Sequence, residues 1–306
     1  MRFRYQTRLR IELFSYLAIK RADAILSHSD PLAYRKNSRP RDTFLPVSGT
    51  PQIFVQHGML QSGVNWPYGE LGIRWYSKLL LWWDEYDSIE SSFIKDDIST
   101  RVKKVGFIKK AYASARPLPE SMKAFWAKFH QRLLVCTNFG DHLARSGKGD
   151  QLEFYDICDH FCARNPEILL VLRPHRGRPQ PEFKTAEQTL LDKHSNLVIM
   201  DRYEGEFAYS TIHDSLGICD GVVSHVSSSI LDAIYSDIPV AVLQNRWPKL
   251  NSLPNVTDLD SLEAFSRSVP EIDPKNNDVY RIYGAVDENI DRAAGEVEDF
   301  LINRCE

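Results

Sequence analysis

Three short stretches of this sequence carry side chains that could do chemistry. The first is Gln56-His57-Gly58, which follows the apolar run Ile53-Phe54-Val55. An imidazole just beyond a strand, with a glycine allowing a tight turn, suits general acid–base work because its proton exchange falls near neutral pH. The second is Arg173-Pro174-His175-Arg176, which follows the apolar run ILLVL at 168–172. It offers two fixed guanidinium charges and an imidazole donor, with Arg178 close by, and guanidinium groups bind phosphate oxygens in pairs. The third is Ser227-Ser228-Ser229, between the run 221–224 and a helix-like segment with Ile230, Leu231, Ile234 and Tyr235 on its apolar side. One of these serines can cap the helix while N–H groups and the positive end of the dipole point outward, a corner that suits a phosphate. Serine is equally the ordinary cap of a helix that binds nothing, and a lone histidine is more often structural. The elements around the three stretches therefore decide what they mean.

Those elements alternate. From 132 onward the chain reads as strand RLLVCT (132–137), helix 151–165, strand 168–172, helix 183–194, strand 197–200, short helix 206–215, and a strand–helix–strand unit over 218–243. Strands alternating with helices predict a parallel sheet covered on both faces, which puts the ends of strands 168–172 and 221–224 on one edge. The earlier part offers strands at 23–27 (DAILS), 53–55 and 101–108 (RVKKVGFI), with a polar loop at 30–41 and a turn into a helix at 87–95. Between them, 65–85 is dense in aromatics: Trp66, Tyr68, Trp75, Tyr76, Trp82 and Trp83. These suit a core, a contact surface, or a groove on which sugars stack, and their spacing leaves all three open. The stretch 111–120, with Pro117 and Pro119, is the linker candidate. The expected domains are 1–115 and 116–275, followed by C-terminal helices over 276–306.

Composition narrows the function classes. With 306 residues, 43% hydrophobic and 26% charged, the chain is an ordinary globular one, and its net charge of -3 gives no argument for a nucleic-acid partner. Arg2, Arg4, Arg8, Arg10, Lys20 and Arg21 crowd a segment that also holds Ile11, Leu13, Phe14, Leu17 and Ile19. That pattern suits a solvated helix face or peripheral contact with an anionic membrane. No apolar run is long enough to span a bilayer and no signal peptide is evident, so the expected location is the cytoplasm or the inner face of the membrane. The five cysteines are odd in number and scattered. Cys158 and Cys162 flank His160 without a second ligand pair at zinc spacing, so buried free thiols are expected and a metal is not. Neither a Walker A sequence nor G-x-G-x-x-G nor a G-x-S-x-G elbow is present, which counts against ordinary kinase, dinucleotide-binding and hydrolase readings.

Taken in order, QHG after a strand, the basic-x-His corner, and a strand-D-x-x-x-S-x-x-SS-helix unit ending in Ile-Pro resemble the CDP-glycerol glycerophosphotransferases that polymerise teichoic-acid and capsule backbones. The layout is also similar to other GT-B transferases, including bacterial sialyl- and Kdo-transferases that take CMP-sugars. The similarity runs from 53 to 243 on short motifs. It implies an α/β GT-B fold, two Rossmann-like domains with parallel sheets facing a cleft. It also implies a nucleotide-activated donor, a glycan or lipid-linked acceptor, and no cofactor. By this resemblance His57 is the catalytic base, Arg173 and His175 bind donor phosphate, and Ser228 and Ser229 complete that site; Arg176 and Ser227 join them from their position. The family has His-Pro where this chain has His175-Arg176, and a Thr-Pro-rich stretch with a lysine where this chain has 59–64. The nearest acids to the site are Asp220 and Asp232, and Asp232 is the candidate nucleophile if an activated sugar is transferred with retention. Three alternatives stand beside a glycerol-phosphate transferase. They are a CMP-Kdo or other nucleotide-sugar glycosyltransferase of lipopolysaccharide or capsule, a non-catalytic nucleotide-binding scaffold, and a UDP-sugar epimerase. The last is weakened by the lack of paired acidic residues around a comparable histidine.

Overall fold

The computed structural model describes residues 18–28, 48–59, 74–89, 94–110, 120–137, 148–174, 181–200, 210–245 and 247–303. In chain order its elements are β1 (Ile25–Ser27), β2 (Gln52–Val55), β3 (Leu79–Trp82), β4 (Val102–Lys104), α1 (Glu120–Trp126), β5 (Gln131–Thr137), α2 (Lys148–Arg164), β6 (Ile168–Pro174) and α3 (Pro181–Lys193). There follow β7 (Leu197–Ile199), α4 (Ile212–Leu216), β8 (Gly221–Ser224), α5 (Ser228–Ile234), β9 (Val240–Leu243), β10 (Asn255–Val256), α6 (Leu259–Ser268), α7 (Asp278–Tyr283) and α8 (Val286–Ile302). The chain divides into a first unit, 1–108 with 282–306, and a second unit, 109–281.

In the first unit, β1 to β4 lie side by side in sequence order and all run parallel. Alternate residues of β3 serve opposite faces of this sheet. Leu80 and Trp82 join Phe54, Trp75, Ile89, Ile98 and Val102 on one face. Leu79 and Leu81 join Ile53, Val105 and Ala293 on the other, with Val297 and Phe300 packed beside them. A parallel strand covered on both faces is apolar throughout, and Leu79-Leu80-Leu81-Trp82 fits that rule. The sequence reading had treated this run only as part of an aromatic stretch, and it proves to be an inner strand. The covering residues of α8 recur at 293, 297 and 300, the spacing of one helix face. This face is why the end of the chain belongs to the first unit, where the sequence had set 276–306 apart.

A close approach fixes that return. The Asn289 side chain, almost fully buried, donates from Nδ2 to the Phe107 carbonyl (3.0 Å) and to the Tyr283 carbonyl (2.6 Å). Gly106 makes room for it at φ +80°, and a Cβ there would collide with the Asn289 amide. Gly106→Ala is therefore expected to destabilise the protein by about 2–4 kcal/mol, combining left-handed strain with overpacking. Gly49 has φ +72° and nothing near its missing Cβ, so Gly49→Ala should cost only about 1 kcal/mol of backbone strain. Urea unfolding followed by tryptophan fluorescence measures both, and equal effects would remove the Asn289 explanation.

The second unit holds a six-stranded, wholly parallel sheet in the order β10-β9-β8-β5-β6-β7. Counted from β5, that is the 3-2-1-4-5-6 order of a Rossmann sheet read from its β7 edge. Helix α2 lays Phe154, Tyr155, Cys158, Phe161 and Cys162 onto the sheet, a helical stripe of buried residues. Cys136, Cys158, Cys162 and Cys219 are free and buried, as expected, while Cys305 lies outside the described residues. Burial pushes the Cys136 thiol up to about 11 and the Cys162 thiol up to about 12, which keeps both unreactive. The sequence reading missed β10 and α6. A signal for α6 was present: Asp258 and Ser261 form a reciprocal cap ahead of Leu262 and Phe265, both of which are buried.

Candidate active site

In a Rossmann sheet the strand order reverses between the first and fourth strands, and ligands bind outside the carboxyl ends of the strands at that point. Here the reversal falls between β5 and β8, whose ends carry Cys136 and Ser224 in register, with Arg173 of β6 on the other side of Cys136. The Ser227-Ser228-Ser229 corner follows β8 directly, so its place is set by topology.

Its three serines do different things. Ser227 is the cap of α5: its backbone is extended and its Oγ accepts the Ser229 N–H at 3.2 Å. The Ser227 and Ser224 hydroxyls lie 3.2 Å apart, and Ser224 donates to the His225 carbonyl at 2.8 Å, which stiffens the turn. Ser229 works against the rise that burial causes at the Cys136 thiol. Ser228, half-buried, opens the helix.

The charged side chains around the corner have partners of their own. Arg173 turns its guanidinium toward the start of α4. Nη1 donates to Ser210 Oγ and Ser215 Oγ, both at 3.2 Å, and Nη2 donates to the Ser210 carbonyl at 3.1 Å. It thus fastens α4 to the sheet edge. His175 and Arg176 lie outside the described residues. Asp232 is 3% exposed and accepts from Lys109, whose Nζ stands 2.7 Å from Oδ1 and 2.8 Å from Oδ2. Because Asp232 follows Ser228 by four residues and Ser229 by three, the ion pair shares their helix face. Lys109 was not legible as a site residue, since 123 positions separate it from Asp232 and no motif links them. His213 of α4 belongs to the same group. Burial lowers its pKa most, Asp232 raises it and Lys109 lowers it, leaving it below the ordinary histidine value. Asp220, which the sequence placed near the site, precedes β8 and so lies at the opposite end of the strands. There it accepts the Arg132 backbone N–H (2.7 Å) and pairs with the Arg132 guanidinium at 2.9 Å.

In the first unit, His57 leaves the carboxyl end of β2. Buried Gln56 braces that turn, its Oε1 accepting the Trp83 N–H (2.7 Å) and its Nε2 donating to the Gly58 carbonyl (2.8 Å). His57 is an exposed residue, yet surrounding protein displaces enough water to lower its pKa. The neighbouring His28 lowers it further, while a hydrogen bond to the His28 backbone works the other way. The net direction favours the neutral imidazole, the form that can accept a proton.

No protein-family model and no curated protein matches this sequence. Solved structures match over nearly its whole length. A putative UDP-N-acetylglucosamine 2-epimerase from Listeria monocytogenes matches 95% of this chain and 78% of its own, with a TM-score of 0.61 at 10% identity. Trehalose-6-phosphate synthase OtsA matches 98% of this chain and 77% of its own, at 0.55 and 14%. The wall teichoic acid polymerase TagF, in a variant soaked with CDPG, matches 92% of this chain and 72% of its own, at 0.53 and 12%. The chain has the GT-B fold. At these identities the likeness is one of architecture. Among the described residues, no helix is long and apolar enough to cross a membrane.

Proposed function

We propose that this protein is a GT-B transferase of bacterial surface-polysaccharide assembly, moving a glycerol-phosphate or sugar group from a cytidine-nucleotide donor to the hydroxyl of a glycan or lipid-linked acceptor. The observation that carries the reading is the serine-capped corner at the reversal point of a Rossmann sheet with the Lys109 cation held on its helix face. Polymerase TagF, soaked with CDPG in one of its structures, supports the choice of donor class. In this scheme the donor phosphate lies against the first turn of α5, contacting the Ser228 hydroxyl and backbone N–H groups. Negative charge grows on the departing nucleotide as its bond breaks, and Lys109, with Arg176 and His175, stabilises it. These cations supply the neutralisation, so the scheme needs neither metal nor cofactor. His57 takes the proton from the attacking hydroxyl. Asp232 holds Lys109 in place. A nucleophile is a less suitable role, because both its oxygens already accept from that cation. The protein would work in the cytoplasm, or at the inner face of the membrane if its basic segment binds there.

Calorimetry with CMP, CDP, UDP, GDP and ADP tests the donor assignment. Selective cytidine-nucleotide binding, weakened about tenfold by Ser228→Ala through the loss of one hydrogen bond to a charged group, is the expected result. Preference for UDP or GDP would move the protein to another nucleotide-sugar transferase. Binding without any turnover would favour a scaffold, and no binding at all would overturn the reading.

A further inference from the structure

We infer that Asn289 is a positioning residue for the donor corner, acting through Lys109. It fastens the segment in which the chain leaves the first unit, so that Lys109 reaches Asp232 and the donor phosphate from a fixed root. The inference deepens the reading of Lys109 as the cation that stabilises the departing nucleotide, and rests on it. The opening stretch of the first unit ends at residue 108, and the second unit begins at Lys109. Only Ile108 therefore separates Phe107, held in the first unit, from Lys109, held in the second.

On the first-unit side the backbone is bonded repeatedly. Val105 donates to the Trp82 carbonyl at 2.7 Å, and Phe107, fully buried, donates to the Tyr283 carbonyl at 3.0 Å. Asn289 Nδ2 then joins the outgoing and returning segments by donating to both the Phe107 and the Tyr283 carbonyls. Arg292 sets the orientation of that amide, its Nη1 donating to Asn289 Oδ1 at 3.3 Å and to the Val105 carbonyl at 3.4 Å. On the second-unit side, Lys109 Nζ directs donors to both oxygens of Asp232. An ammonium has three N–H donors, and the lysine side chain is 37% exposed, so the third can turn to a phosphate oxygen. Two residues of chain span at most about 7 Å, so the anchored Phe107 limits where the lysine stem starts. Without the Asn289 amide the Phe107 carbonyl loses its donor and the segment loosens. Fixing it again when nucleotide binds then costs conformational entropy, which lowers affinity.

The probe is CDP, its affinity read by calorimetry on the full chain. Asn289→Ala is expected to weaken CDP binding about five- to thirtyfold, the ordering entropy of one backbone residue. A merely structural role would give the same loss whether or not Lys109 is present. The comparison is therefore repeated in Lys109→Met/Asp232→Leu, which lacks the cation and its carboxylate. There Asn289→Ala should leave CDP affinity unchanged. An equal loss in both backgrounds, or no loss in either, overturns the proposal. A second measurement serves if Asn289→Ala does not fold. Hydrogen exchange of residues 105–110 in the unsubstituted protein should slow when CDP saturates the site, and should not respond in Lys109→Met/Asp232→Leu. Exchange that ignores CDP, or that slows equally in both proteins, overturns the proposal. Failure of the donor reading shows separately, as the absence of any CDP binding to the unsubstituted protein, and it removes this proposal as well.

Discussion

His57→Ala is expected to lower turnover about 100- to 10,000-fold, the usual contribution of a positioned general base, while leaving nucleotide affinity unchanged. The split follows from where the groups lie. The imidazole stands at the end of β2 in the first unit, whereas the serine corner and Lys109 belong to the second. Losing the base therefore removes proton transfer without touching the phosphate contacts. The pH dependence follows from the direction of the His57 shift. Desolvation and His28 lower its pKa, so the base form persists into mildly acidic solution. The acid limb of kcat/KM should fall below pH 6.5, the ordinary histidine value, and should vanish in the variant. Turnover that survives the substitution with its acid limb in place would assign the base to another group.

How much of this was legible beforehand depended on what each element buries. The strands 132–137, 168–172 and 221–224 were legible because a parallel strand covered on both faces is apolar without interruption. The same physics applies to Leu79-Leu80-Leu81-Trp82, but the tryptophans around it suggested a binding surface, and the strand went unrecognised. The serine corner was placed correctly at a strand end, since strand, serine cap and helix follow one another in the chain. Arg173 shows the opposite case. A sequence displays its positive charge but not the hydroxyls that claim it, and Ser210 and Ser215 are about forty residues downstream. Lys109 and His28 were invisible for a related reason. Each has meaning only through a partner that the fold brings alongside, Asp232 for the first and His57 for the second.

The Lys109–Asp232 pair should show itself as an asymmetry in stability. Lys109→Ala leaves a carboxylate that is 3% exposed without its cation, and breaking a buried ion pair in this way costs about 3–5 kcal/mol. The lysine end is 37% exposed, so solvent already screens part of the attraction and about 3 kcal/mol is the expected loss. Asp232→Asn should cost less, about 1 kcal/mol, because an amide fills the same space and the released lysine reaches water. Replacing both, Lys109→Met with Asp232→Leu, removes the two charges together and should restore much of the stability, since the paired groups had to be desolvated in the first place. Thermal melts of the three variants separate this account from a nucleophilic Asp232. A buried holder of Lys109 gives the order just described, with nucleotide affinity falling in both single variants. A nucleophile gives a fully folded Asp232→Asn protein that binds nucleotide normally and does not turn over. If Asp232→Asn melts lower than Lys109→Ala, the buried carboxylate is not what the lysine stabilises, and the corner has lost the cation this scheme assigns to it.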